Sequence, residues 1–203
     1  MMIMNNFEEN LRDAILDNDI GFLEKHKGQY DIDHRLADYD NDTLLLYAVH
    51  FGDSEAYKFF LENGADITLV NGLGEGILHA IVFSDVPERL SYFMTKYHLD
   101  INARATNGMT PLGLSTFIGK FEMTKFLITA GADVNVVDNE YYSTPLHDAV
   151  WADNLEIVRL LVAKGANLHI KDKNGHYPLA LAVSADHENV AKYLYERMYL
   201  QKD

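Results

Sequence analysis

Several stretches carry residue types whose spacing could do chemistry. Residues 113–120 read GLSTFIGK, close to a loop that cradles phosphate on backbone N–H groups. That loop needs four residues between its glycines and a Ser or Thr after the Lys. Here five residues separate Gly113 from Gly119, and Phe121 follows Lys120. Residues 71–76, NGLGEG, lack the G-x-G-x-x-G spacing of a dinucleotide turn and read as a flexible finger. Asp38, Asp40 and Asp42 alternate like the start of a calcium loop. Thr43 then stands where such a loop needs Gly, and Val49 where it needs Glu. His79 and His147 have no Ser or Cys nucleophile at motif spacing, so a triad is unsupported. His50 and Asp53 are the nearest approach to a titratable cluster. The expectation is no catalytic residue, no metal and no cofactor.

Composition narrows the classes further. The chain has 203 residues, no cysteine and a formal net charge of −14. Without cysteine there are no disulfides, thiolate metal ligands or thiol nucleophiles, and a reducing compartment, the cytoplasm, fits best. The start, MMIMNNFEEN, has no basic n-region, so it does not read as a signal peptide, and no apolar run is long enough for a bilayer. Residues 1–60 hold 13 Asp and Glu against 5 Lys and Arg, a net of −8. An acidic chain repels nucleic acid and attracts basic protein surfaces. The expected partner is therefore a basic protein, with neither nucleic acid nor membrane involved.

The elements that must position these residues recur. A short turn begins at Thr43 (TLLLYA), Gly76 (GILHAI), Thr110 (TPLGLS), Thr144 (TPLHDA) and Tyr177 (YPLALA), in steps of 33, 34, 34 and 33. A second marker follows each of the first four turns: GADIT, HLDIN, GADVN and GANLH, ending at Thr68, Asn102, Asn135 and His169. Two markers on one period identify a repeat array. Within a unit, Thr144 supplies a hydroxyl cap and Pro145 a pre-set first turn. Leu146, Ala149 and Val150 form a short apolar face, and Asp153-Asn154 break it. A second helix runs over 155–164, with Ile157, Leu160 and Leu161 on one side and Gly165 as its left-handed cap. One such pair cannot bury its own face; stacked neighbours can.

TPLHDA with GADVN and GADIT resembles the ankyrin repeat family, over nearly the whole chain. The resemblance implies an all-α ankyrin-repeat solenoid of stacked helix-turn-helix units with protruding hairpin fingers. It also implies that His79 and His147 tie adjacent turns together by hydrogen bonding. The reading is one domain over 1–203: an N-terminal cap repeat (1–42), repeats 43–75, 76–109, 110–143 and 144–176, and a C-terminal cap repeat (177–203). Phe59, Phe60, Tyr92, Phe93, Phe126 and Tyr193 fall at the Leu160/Leu161 positions and read as core.

Three departures stand out. The second full repeat has GILH without Thr or Pro, and His98 replaces the glycine of Gly64, Gly131 and Gly165, which predicts the softest repeat. Thr43 follows Asp31 by 12 positions and Thr144 follows Asp133 by 11, where the other fingers have 10. The longer fingers carry Tyr39 with Asp38, Asp40 and Asp42, and Tyr141 with Tyr142. Insertions of this kind mark a binding face or drift neutrally. Finally, the seventh position after each turn holds His50, Phe83, Phe117, Trp151 and Ser184, with Phe51 at the eighth. In ankyrin-like units this is the concave end of the first helix. Phe51, Phe83, Phe117 and Trp151 are thus expected to form a ladder of interface anchors; the competing reading tucks these rings against the neighbouring repeat. Function follows by analogy of fold: a non-enzymatic, monomeric protein-binding module. An immunity or inhibitor protein occluding a basic enzyme or toxin is the alternative, and an effector fragment with cryptic chemistry a more distant one.

Overall fold

The computed structural model describes residues 2–138 and 140–200. Among them run twelve α-helices: α1 (Met2–Leu16), α2 (Ile20–His26), α3 (Leu44–Phe51), α4 (Ser54–Glu62), α5 (Ile77–Ser84), α6 (Pro87–Lys96), α7 (Pro111–Phe117), α8 (Phe121–Thr129), α9 (Pro145–Trp151), α10 (Leu155–Ala163), α11 (Pro178–Ser184) and α12 (Glu188–Tyr195). A π-helical turn, Glu196–Leu200, extends the last. The sheet content of the described residues is one antiparallel ribbon, β1 (Arg35–Leu36) with β2 (Asp42–Thr43), Arg35 opposite Thr43. This is the all-α architecture that the resemblance implied. The chain forms two compact units, Met1–Ser84 and Asp85–Asp203, each described by itself.

Local chemistry sets the helix starts. Thr43, Thr110 and Thr144 sit extended ahead of α3, α7 and α9, and each hydroxyl accepts the backbone N–H three residues on, at 3.2, 3.2 and 3.4 Å. Pro111, Pro145 and Pro178 occupy the first helical position, where no N–H is needed. Between the helices of one repeat, Asp153 takes φ +50° and Asn154 Oδ1 accepts the Ile157 N–H at 3.1 Å. Gly131 and Gly165 leave α8 and α10 at φ +100° and +89°, the region that disfavours a side chain.

His98 does not share that geometry. The chain leaves α6 through Tyr97 in extended conformation (φ −126°, ψ 143°), and His98 is not among the residues of positive φ. The absence of glycine there reflects a different exit from the helix, so the softness expected from a strained His98 is withdrawn.

In the first unit α1 packs on α3, α3 on α5, and α2 on α4. Leu11, Ile15, Leu23, Val49, Phe60 and Ile81 are buried among them. In the second unit the first helices stack α7–α9–α11 and the second helices α6–α8–α10–α12. Leu112, Met123, Leu127, Leu146, Val150, Ile157, Leu161, Val190 and Leu194 fill the space between. Each such side chain contributes about 1.5–3 kcal/mol of burial. Of the second-helix aromatics, Phe59, Phe60 and Phe93 are buried and Tyr92 and Tyr193 half-buried. Phe126 departs from the expectation: its ring is exposed.

The markers also have a structural reason. Asn102 Oδ1 accepts the Asp133 N–H at 2.9 Å, and Asn135 Oδ1 accepts the Asn167 N–H at 2.7 Å. In the first unit Asp33 does the same for Asp66, at 2.8 Å. A short polar side chain thereby fastens each of these loops to the next repeat's backbone. Arg35 donates to the carbonyls of Asn41 and Val70, and Arg104 to those of Gly108 and Val137, bridging adjacent fingers in the same way.

Candidate partner-binding surface

From α3 onward the first helix of each pair is only seven or eight residues long. In α3 every residue from Leu44 to Val49 is buried, and in α7 every residue from Pro111 to Thr116. Only the C-terminal end emerges. Phe51 ends α3 and is 45% exposed; in the second unit, Phe117 ends α7 and Trp151 ends α9, at 47% and 63%. Trp151 is thus outside the core, unlike Leu146, Ala149 and Val150 beneath it. Phe83 departs from the set. It is half-buried, with the His50 ring stacked 5.1 Å away, and His50 also lies 3.7 Å from Phe51. Phe117 and Trp151 are on helices that pack against each other, as does α11, whose Val183 is also exposed.

The fingers divide differently. The two extra residues of the first finger go into the β1–β2 ribbon, whose turn holds Asp40 and Asn41 at φ +49° and +58°. Asp38 and Asp40 are exposed as expected. Asp42 is not: it lies in β2 at 8% exposure, and Asn71 Nδ2 donates to its Oδ1 at 3.0 Å. Grouping Asp42 with Asp38 and Asp40 as a partner-facing carboxylate of the finger is corrected, because strand pairing turns its side chain inward. Burial, with the Glu75 and Asp40 charges adding, pushes its carboxyl up to about 6 against the Asn71 hydrogen bond. Tyr39 is half-buried, 4.9 Å from the Tyr47 ring, with the Arg12 guanidinium 5.3 Å over its face. In the second unit Tyr141 and Tyr142 are both exposed. Tyr142 takes φ +50°, Tyr141 N–H donates to Asp138, and the Tyr141 carbonyl accepts the Lys173 N–H.

NGLGEG is also corrected from a flexible finger. Asn71 Oδ1 accepts the N–H groups of Leu73 and Glu75, and Gly72 N–H donates to the Asp40 carbonyl. A Cβ at Gly72 would come within 2.8 Å of that oxygen, so glycine is needed for the close approach. The sequence reading did not single out Asn71 and Glu75, which meet each other and, through Asn71, Asp42. Their only sequence signal was two polar side chains in a segment read as loop.

His147 serves the turn. It is buried, its Nδ1 lies 2.8 Å from Thr144 Oγ1, and its Nε2 reaches the His176 carbonyl of the next turn at 3.2 Å. Burial lowers its pKa. His50 stacks between the rings of Phe51 and Phe83. The described residues contain no group of His, Asp and Glu that could hold a metal ion, and no helix long and apolar enough to cross a membrane.

Comparison with known proteins decides the family. The model for three ankyrin repeat copies matches residues 77–172 and 139–203, and the single ankyrin repeat model matches 40–72. The chain belongs to the ankyrin repeat family. It is 37% identical over 145 residues to the putative palmitoyltransferase ZDHHC13 of Danio rerio, covering 70% of this chain and 22% of that protein. It is 32% identical over 149 residues to neurogenic locus notch homolog protein 1 of Xenopus tropicalis, and equally to that of Homo sapiens, covering 73% of this chain. The ankyrin repeat chain spans only 6% of the length of those notch proteins.

Proposed function

We propose that this ankyrin repeat chain is a non-enzymatic module that binds a basic protein partner through its first-helix ends and fingertips. One observation carries the reading: the sole tryptophan, Trp151, is 63% exposed at the end of α9, beside a helix ending in exposed Phe117. Large rings at the surface of a water-soluble fold are the usual anchors of protein interfaces. The notch and palmitoyltransferase relatives share the repeats over a small part of their own lengths, which supports recognition by this segment and not their other activities.

The test is Trp151→Ala, alone and with Phe117→Ala. The single variant is expected to lose less than about 1 kcal/mol of folding stability, while binding to the partner captured by the unaltered protein weakens by about 2 kcal/mol or more. Tryptophan emission of the free protein is expected to be red-shifted and readily quenched, and to move to the blue when the partner binds. Unchanged capture by the double variant would remove this surface from the binding account.

A further inference from the structure

A cleft of about 280 Å3 lies within the first unit, between the ribbon turn, the end of α3, the second finger and α5. Its walls include the rings of Tyr39, Phe51 and Phe83, and Asp40, Asp42 and Glu75 line the same space. That volume is under the ~300–1,000 Å3 of small-molecule and cofactor pockets, and suits one side chain.

The cleft is short of positive charge. None of its lining residues is Lys or Arg. Asn71 Nδ2 is shared between Asp42 Oδ1 at 3.0 Å and Glu75 Oε2 at 3.1 Å, so one neutral amide serves two carboxylates. Asp42 is more than nine-tenths buried and lines the cleft, its Oδ1 held by that neutral amide. Nearby cations are engaged elsewhere: Arg35 Nη1 donates to the Asn41 and Val70 carbonyls, and Arg12 lies 3.9 Å from Asp38 and over Tyr39. The carboxylates do not converge as metal ligands would. Aromatic faces beside carboxylates suit an organic cation.

We propose that this cleft is a specificity pocket for a lysine or arginine side chain of the partner, its stem against Phe51 and Phe83 and its head at Asp42 and Glu75. This rests on the reading of the chain as a binder of basic proteins. Asp42 and Glu75, both raised by burial, are returned to the ionised state by such a guest. Asn71, Glu75 and Asp40 act on Asp42 directly, and Asp38, Tyr39 and His50 line the same cleft. Arg35 sits on the paired strand, and Arg12 lies at Asp38 and Tyr39. Affinity therefore rises with pH through about 6, where the Asp42 carboxyl loses its proton.

The experiment uses the full 15N-labelled chain, titrated with N-acetyl-arginine methylamide, N-acetyl-lysine methylamide and the neutral N-acetyl-citrulline methylamide. Saturable shifts of the Leu46, Gly76 and Ala80 amides are expected with at least one cation, and the tighter of the two identifies the head group. Citrulline is expected to bind roughly tenfold more weakly. Asp42→Asn keeps an oxygen for Asn71, and is expected to weaken the cation by a similar factor and remove the pH dependence. Glu75→Gln gives the second reading if Asp42→Asn melts early. Binding indifferent to the guest's charge, unaltered affinity in both variants, or no shift at these three amides with either cation would overturn the proposal. The probes need no partner protein, so failure here leaves the Trp151 surface standing. Loss of the Trp151 surface would equally leave a cation-binding cleft.

Discussion

Asp148 shows how one residue's chemistry couples to the repeat around it. It stands in the first turn of α9, half-buried, and accepts a hydrogen bond from Ser143 Oγ at 2.6 Å. Burial, with the Asp138 charge adding, pushes its carboxyl from the ordinary 3.8 up to about 7, against the Ser143 bond. Between those values the folded chain holds a proton that the unfolded chain has released. The contribution of this site to stability is therefore complete below about pH 4 and lost as the pH rises through about 7. Asp148→Asn keeps the Ser143 bond without the charge. It is expected to be more stable than the native chain at pH 8, on the order of 1 kcal/mol, with the difference vanishing towards pH 4. Thermal unfolding of both across that range checks it; a constant difference would mean that Asp148 does not titrate there. The exposure of Trp151 was legible from its count past Thr144. The burial of Asp148 was not, because it depends on Met109, Gly113 and Ser143 packed around it.

At the scale of the element, the helix starts were the most readable part of the chain and the helix exits less so. A Thr-Pro start is a contact between residues three apart, so it is written in consecutive letters. Thr144→Ala removes the hydroxyl that meets both the His147 N–H and its ring, and is expected to cost about 1–2 kcal/mol in chemical denaturation. An unchanged midpoint would show that the His147 link to the His176 carbonyl holds the turn without its cap. His98→Gly carries the opposite expectation. Because the chain leaves α6 extended at Tyr97, glycine relieves no strain, and its greater unfolded-state freedom lowers stability by roughly 0.4–1 kcal/mol. A gain in melting temperature would restore the strained cap that the spacing suggested.

Over the whole molecule, charge is uneven. The net −14 of the chain includes −8 in residues 1–60, and Asp38 and Asp40 stand exposed at the first finger. A basic partner is expected to be steered there. Asp38→Asn with Asp40→Asn should lower its association rate and flatten the salt dependence of that rate, with little change in dissociation. Stopped-flow mixing at low and physiological ionic strength measures both, and a salt-indifferent rate in the native chain would end the steering account. By itself the sequence determined the family, the helix pairs and the register of Phe51, Phe117 and Trp151. Period, caps and helix length are local properties, and stacking repeats them. Only the tertiary structure decided that Asp42 turns inward, that Phe83 sinks beside His50, and that NGLGEG is strapped down. Those outcomes come from side chains far apart in sequence, Asn71 meeting Asp42 across 29 positions. No periodicity encodes such meetings, because they depend on how one finger's backbone lies against the next.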